Sequence, residues 1–247
     1  MNDGGDAAGG KLKSIIDSAV NYMYNTALKM LTEWSIIGRA ESDMKRAEKT
    51  ELTRQKILQA AVCEFGRHGY AGGTVNRICE SGISKGLVYH NFKDKDEIYL
   101  TCLQECCDSL AAYMKEQNCG TNVLRYMDVR WRWRKKNPDK AHILFEALLT
   151  PPQNLQDRIK DSMRGFEEMN LDIYKKFVRS LPLREGISEE TAISYFCWMQ
   201  EMFNAFFSNP EVGGLELDEK IAAHERYIQQ FFNLMLYGIA REKGGNE

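Results

Sequence analysis

The run Ser81-Gly82-Ile83-Ser84-Lys85-Gly86-Leu87-Val88-Tyr89-His90-Asn91-Phe92 gathers a phenol, an imidazole and a carboxamide in succession, beside a lysine. Catalysis at His90 would require an orienting carboxylate or a nucleophile within reach. The sequence offers no such partner at a readable spacing, and three consecutive residues on a helix point in three directions. The same groups suit a surface that grips nucleic acid. Ser84 is a good helix N-cap, and the amides of a capped N-terminus can meet a phosphate. Lys85 and, further on, Lys95 add positive charge, and Tyr89 can donate to a phosphate. Gly86 permits close approach, Leu87 can touch a thymine methyl, and His90 and Asn91 can hydrogen-bond base edges.

Four short elements position this run. Thr53 to His68 places Ile57, Ala61 and Phe65 on one helical face and ends at Gly69. Thr74 caps a very short helix carrying Val75, Ile78 and Cys79, closed by Gly82. Ser84 starts a third helix with Leu87, Val88 and Phe92 as its apolar side, and Asp94 or Asp96 starts a fourth, longer one. Two short helices joined through Gly82-Ile83 form a helix-turn-helix pattern, in which the second helix enters the major groove of DNA.

The ordered set Thr53–Ala61, Phe65, Gly69-Tyr70, Thr74-Val75, Ile78, Gly82–Gly86, Tyr89-His90, Phe92 and Lys95–Glu97 resembles the DNA-binding region of the tetracycline-repressor (TetR) family of bacterial regulators. By that resemblance Thr74 and Lys95 contact phosphates, and Lys85, Tyr89 and His90 are recognition-helix contacts. Base reading then falls to Gly86, Leu87, His90 and Asn91, while Phe65, Tyr70, Ile78 and Phe92 are core. The spacing from Ile78 to Gly82 is one residue shorter than is common in the family, which implies a shorter second helix or a tighter turn. The resemblance further implies a dimeric repressor on a pseudo-palindromic double-stranded operator, released by a small-molecule effector. An activator or architectural protein of the same fold, without such a ligand, is the alternative.

The remainder reads as helical, with breaks at 118–121, 137–138, 150–152, 181–186 and 209–214, so the fold class is all-α. The division is 1–48 as an extension, 49–97 as the DNA-binding domain and 98–247 as a helical effector-binding and dimerisation domain. In the extension, apolar residues from Leu12 to Trp34 recur at helical spacing, which implies a helix that docks on the effector domain. The Gly-rich residues 1–10 are expected to lie outside it, and residues 39–50 are either linker or a lead-in to the next helix. An apolar or aromatic effector would find Tyr126, Trp131, Phe145 and Phe166, then Met169, Tyr174, Phe177, Tyr195 and Trp198, on the surrounding helices. Residues 188–208 and 217–241 carry more apolar surface than one buried face needs. Phe196, Phe203, Phe207, Ile228, Phe231 and Met235 are therefore expected at a homodimer interface. The basic run Arg130–Lys136 reads as charge complementing a helix C-terminus, with one of its two tryptophans in the core.

Composition narrows the remaining classes. With 43% hydrophobic and 28% charged residues and a net charge of −2, the chain does not coat nucleic acid indiscriminately, although a local basic patch is compatible. No apolar run reaches the ~18 residues of a membrane span, and MNDGGDAAGG has no signal pattern, so a cytoplasmic protein without a membrane partner is expected. The seven cysteines then read as free thiols. Cys102, Cys106 and Cys107 cluster, but no second pair completes a ligand set, and neither metal nor cofactor is expected.

Overall fold

The computed structural model describes residues 6–118, 122–209 and 215–237. Most side chains before Arg46, and those of Val123, Leu124 and Tyr237, lie outside the description. Every described element is helical, and the chain divides into two compact units, residues 1–55 and 56–247.

The described residues of the first unit all belong to α1, Asp6–Gly72. Helix therefore begins ahead of Lys11, and residues 39–50 are helix rather than linker. The first proline of the chain is Pro138, so nothing in this stretch removes a backbone donor from the helical ladder. Thr50 and Thr53 return their hydroxyls to the carbonyls of Arg46 and Lys49, at 3.0 and 2.9 Å. The apolar side chains on which the docking expectation rests fall mostly outside the described residues.

In the second unit α1 kinks at Gly69, where the sequence implies its end. Gly69 lies at φ 64°, ψ 178°, a left-handed conformation that costs glycine nothing and other residues about 1 kcal/mol or more. The kink frees the Tyr70 amide, which donates to both carboxylate oxygens of Glu146, at 2.9 and 3.0 Å. A Cβ at Gly69 would stand 2.7 Å from Glu146 Oε1, so the glycine also makes room for the carboxylate.

Three short steps follow. Thr74 caps α2, Val75–Cys79, through its hydroxyl and the Arg77 amide at 3.2 Å. With five residues, α2 has the short form implied by the Ile78–Gly82 spacing. Gly82 makes the turn at φ 88°, and Ser84 caps α3, Lys85–Asn91, through the Leu87 amide at 3.3 Å. Asp94 caps α4, Lys95–Glu116. Ile57, Ala61, Phe65, Val75, Ile78, Val88, Phe92 and Ile98 are all buried in one core. Tyr70 is half-buried rather than core, because its hydroxyl reaches Asp96 Oδ1 at 2.5 Å.

The rest of the unit comprises α5, Val123–Lys136; α6, Pro138–Leu149; α7, Gln156–Arg179; α8, Glu189–Ser208; and α9, Leu217–Tyr237. α4 packs on α5, α6 and α7, and α8 on α6, α7 and α9. Cys102, Cys106 and Cys107 are buried, and burial pushes all three thiols up, Cys107 to about 12. They are packing groups, and no metal-binding cluster occurs among the described residues. No described helix is long and apolar enough to cross a membrane.

Two helices present different faces from those expected. Phe196, Phe203 and Phe207 of α8 and Met235 of α9 are buried within the chain itself, while Ile228 and Phe231 are half-buried. Phe203 and Phe207 instead enclose His224, with ring centroids at 4.8 and 5.3 Å, and Phe145 closes the third side at 5.4 Å. The apolar side chains these helices leave exposed are Tyr195, Trp198, Met202, Phe206, Tyr227 and Leu234.

Two predictions arise from the buried polar groups. Glu146→Gln places an amide NH2 where a carboxylate oxygen now accepts from Tyr70 or Tyr99, so urea unfolding should show a loss of about 1–3 kcal/mol. An unchanged midpoint would mean that these bonds do not hold the fold. The pKa of His224 is pushed down from 6.5 to about 3, by burial first and then by Arg130 and Arg134. The unfolded chain then binds one more proton between those values. The stability linked to His224 is thus present above pH 6.5 and lost as pH falls towards 3, at up to ~1.4 kcal/mol per unit. The stability difference between wild type and His224→Gln, followed by urea unfolding across this range, should shrink on acidification. A difference independent of pH would contradict it.

Candidate nucleic-acid interface

α3 offers its outward side chains from a rigid base. Val88 is fully buried and Phe92 almost so, while Lys85, Gly86, Leu87, Tyr89 and His90 are exposed. Leu87 and Tyr89 are 39% and 47% exposed, on a helix anchored by its opposite face. A Cβ built on Gly86 meets nothing within 4 Å, so nothing inside the chain requires glycine there. Asn91 is half-buried, and its Nδ2 donates to the Leu87 carbonyl at 2.8 Å. The sequence-predicted residues Ser84 to Asn91 thus fall on one short helix and its cap, joined to α2 by Lys85 Nζ donating to Asn76 Oδ1 at 3.1 Å.

Four of the acidic residues around this surface are engaged internally. Glu64, buried, accepts from the Thr74 amide at 2.8 Å and from Arg77 Nε at 2.6 Å, and Arg77 also donates to the Gly72 carbonyl. Asp94 accepts from the Glu97 amide at 2.8 Å, and Glu97 accepts from the Lys93 amide at 2.7 Å. Asp96 holds the Tyr70 hydroxyl and lies 3.7 Å from Arg158. Lys95 Nζ sits 4.4 Å from the Tyr70 ring centroid, and burial lowers its pKa against the pull of Asp96 and Glu146. The exposed Lys85, Lys93 and His90 therefore face outward while these four carboxylates are turned to the fold.

A cavity of about 700 Å³ lies among α5 to α9. Of the side chains expected to line a pocket, Trp131, Phe145, Phe166 and Tyr174 do so. Tyr126 is buried beside it, Met169 and Phe177 pack in the core, and Tyr195 and Trp198 are on the surface. Periodicity could not separate these groups, because each helix carries aromatic residues on more than one face.

Polar groups that sequence reading passed over stand at the cavity. Arg130 Nη1 donates to the Tyr126 hydroxyl at 2.7 Å, which donates in turn to Asn170 Oδ1 at 2.8 Å. His224 Nε2 lies 3.2 Å from Asn204 Oδ1, and its Nδ1 is buried without a partner. Arg134 pairs with Glu225 at 3.1 Å. The basic run thus divides: Trp133 is core as expected, Lys135 covers the Trp131 ring, Arg130 lines the cavity, and Arg134 pairs with Glu225. Their four-residue spacing on a helix whose buried face includes Tyr126, Val129 and Trp133 is the signal that could have identified them.

Comparison with known proteins matches both parts. The family described as "Bacterial regulatory proteins, tetR family" matches residues 57–102, and "Tetracyclin repressor-like, C-terminal domain" matches residues 121–238, together more than half of the chain. The HTH-type transcriptional repressor AcnR of Corynebacterium diphtheriae is 38% identical over 87 residues, 34% of this chain and 45% of that protein. The HTH-type transcriptional regulator RutR of Escherichia coli is 20% identical over 148 residues, 58% of this chain and 70% of the relative. The chain spans about half the length of the AcnR relatives it matches. A solved TetR family regulator from Chloroflexus aurantiacus is 22% identical, with 78% of this chain and 95% of that one covered at a TM-score of 0.47. The chain belongs to the TetR family of bacterial regulators.

Proposed function

We propose that the protein is a transcription repressor that binds double-stranded DNA as a homodimer. α3 enters the major groove of a pseudo-palindromic operator, and a small molecule in the α5–α9 cavity releases it. The observation that carries this reading is the exposed face of α3, a capped helix anchored by Val88 and Phe92. Thr74, Ser84, Lys85, Tyr89 and Lys95 hold the backbone, and Gly86, Leu87, His90 and Asn91 meet base edges. The relatives named as transcriptional repressors support the direction of control. DNA binding falls to the domain around residues 49–97, and effector binding and dimerisation to residues 98–247.

A second copy is the partner for the exposed stripe of α8 and α9. Tyr195, Trp198, Met202 and Phe206 recur at spacings of three and four, so they share one helical face, and Trp198 and Met202 are each 64% exposed. Pairing that face would set two recognition helices about 34–36 Å apart, one turn of the duplex, or a multiple of it. The effector favours a conformation that spaces them otherwise and so lowers affinity for the operator.

Gel-shift titration of duplexes flanking the gene, at low and at raised salt, tests the reading. Binding should be sequence-dependent and weaken steeply with salt. Gly86→Leu should leave thermal stability unchanged or slightly higher, yet reduce affinity at least about tenfold, because the added side chain occupies the space where DNA approaches. Tyr89→Phe and Lys95→Ala should weaken all duplexes alike, whereas Asn91→Ala should reorder them. Absence of tight binding at low salt, or full affinity in Gly86→Leu, would remove α3 as the reading element.

A further inference from the structure

The ionisable groups at the cavity do not balance. Four carboxylates line it, of which Asp128 is engaged by Arg132 and Glu225 by Arg134 Nη2 at 3.1 Å. Arg130 also feels Glu225, but no carboxylate stands within 4 Å of it among the described residues. Its hydrogen bond runs to a neutral phenol, Tyr126. Two guanidinium groups, Arg130 in the cavity lining and Arg134 outside it, thus share one carboxylate, Glu225. Donors are in surplus as well, because Arg134 Nε is buried without a hydrogen-bond partner.

The neighbouring imidazole senses the same excess. His224, 4% exposed, is held neutral by burial and by both arginines. Glu167 and Glu201 carry the opposite charge at the rim, but both are exposed, where water and salt screen them. Arg130 is half-buried and less exposed than the rim carboxylates, so its charge is screened less and weighs more in orienting a ligand.

A half-buried cation with a neutral partner is best satisfied by an anion that offers two acceptor oxygens to the guanidinium fork. One guanidinium without an ion-pair partner accepts a single carboxylate, whereas a dianionic phosphate would add charge beside Glu167 and Glu201, which line the same cavity. Beside Arg130 the walls are apolar: Leu144, Phe145, Met163 and Phe166. We infer that the cavity takes a small monocarboxylic acid with an aromatic or branched alkyl body, its carboxylate on Arg130 and its body against Phe145, Met163 and Phe166. This rests on the reading of the cavity as the effector site.

Three probes with one skeleton and different charge test the assignment: 4-phenylbutyrate, its primary amide and 4-phenylbutylamine, titrated calorimetrically into the full chain at neutral pH. The acid should bind, the amide at least about tenfold more weakly and the amine more weakly still. In Arg130→Gln the acid should lose its advantage while the amide keeps its affinity, which shows that the cavity is intact. Equal or tighter binding of amide or amine, binding of none of the three, or an undiminished preference in Arg130→Gln would each overturn the inference. Should Arg130→Gln fail to fold, the ranking on the wild-type chain decides. DNA release is measured separately. Acid binding without release leaves this inference standing and removes the release step of the proposed function, and release by the amine alone does the reverse.

Discussion

The carboxylate of Glu146 is the fixed point of the second unit. It sits on α6, 8% exposed, and accepts from the Tyr70 amide just past the Gly69 kink and from the Tyr99 hydroxyl of α4 at 2.9 Å. One buried carboxylate thereby joins the end of α1, the second turn of α4 and the last turn of α6. A buried carboxylate deprived of donors would be costly, so these three helices keep their mutual placement as long as the site is dry. Burial and the Glu146 charge together push the Tyr99 phenol far above its usual range, which keeps it a donor at every physiological pH. The helix-turn-helix hangs from this junction: α1 supplies its floor, and α4 carries Lys95 at its own N-terminus.

The junction adjoins the elements that enclose the cavity. α6 contributes Glu146 to it and, from the adjacent residue Phe145, a wall to the cavity. Asn154 and Arg158, beside and on α7, reach Tyr70 and Asp96 respectively. A ligand that shifts α6 or α7 therefore acts on groups that also hold the recognition end. This gives the proposed release a physical route made of named contacts, each with two partners on different helices.

Much of the helix-turn-helix was legible in the sequence because local rules determine it. Thr74, Ser84 and Asp94 announce caps, Gly69 and Gly82 announce positive φ, and one-faced apolar spacing announces Ile57, Ala61, Phe65, Val88 and Phe92 as core. The later helices were less legible because tertiary contacts choose among several apolar faces. Phe203 and Phe207 were expected at an interface, but they surround His224. Glu146, a lone charge in the apolar run from Ile143 to Leu149, carried a signal that periodicity does not weigh. Arg130 was hidden in a run whose net charge suggests solvent, although its spacing from Arg134 places both on one side of α5.

Selection of bound duplexes from a random library, followed by sequencing, tests the central claim that α3 reads DNA as one of a symmetric pair. The account predicts enrichment of a pseudo-palindrome whose half-sites lie one helical turn, about 10–10.5 base pairs, or a multiple of it, apart. Failure to enrich any sequence, or enrichment of a motif without two-fold symmetry, would contradict it.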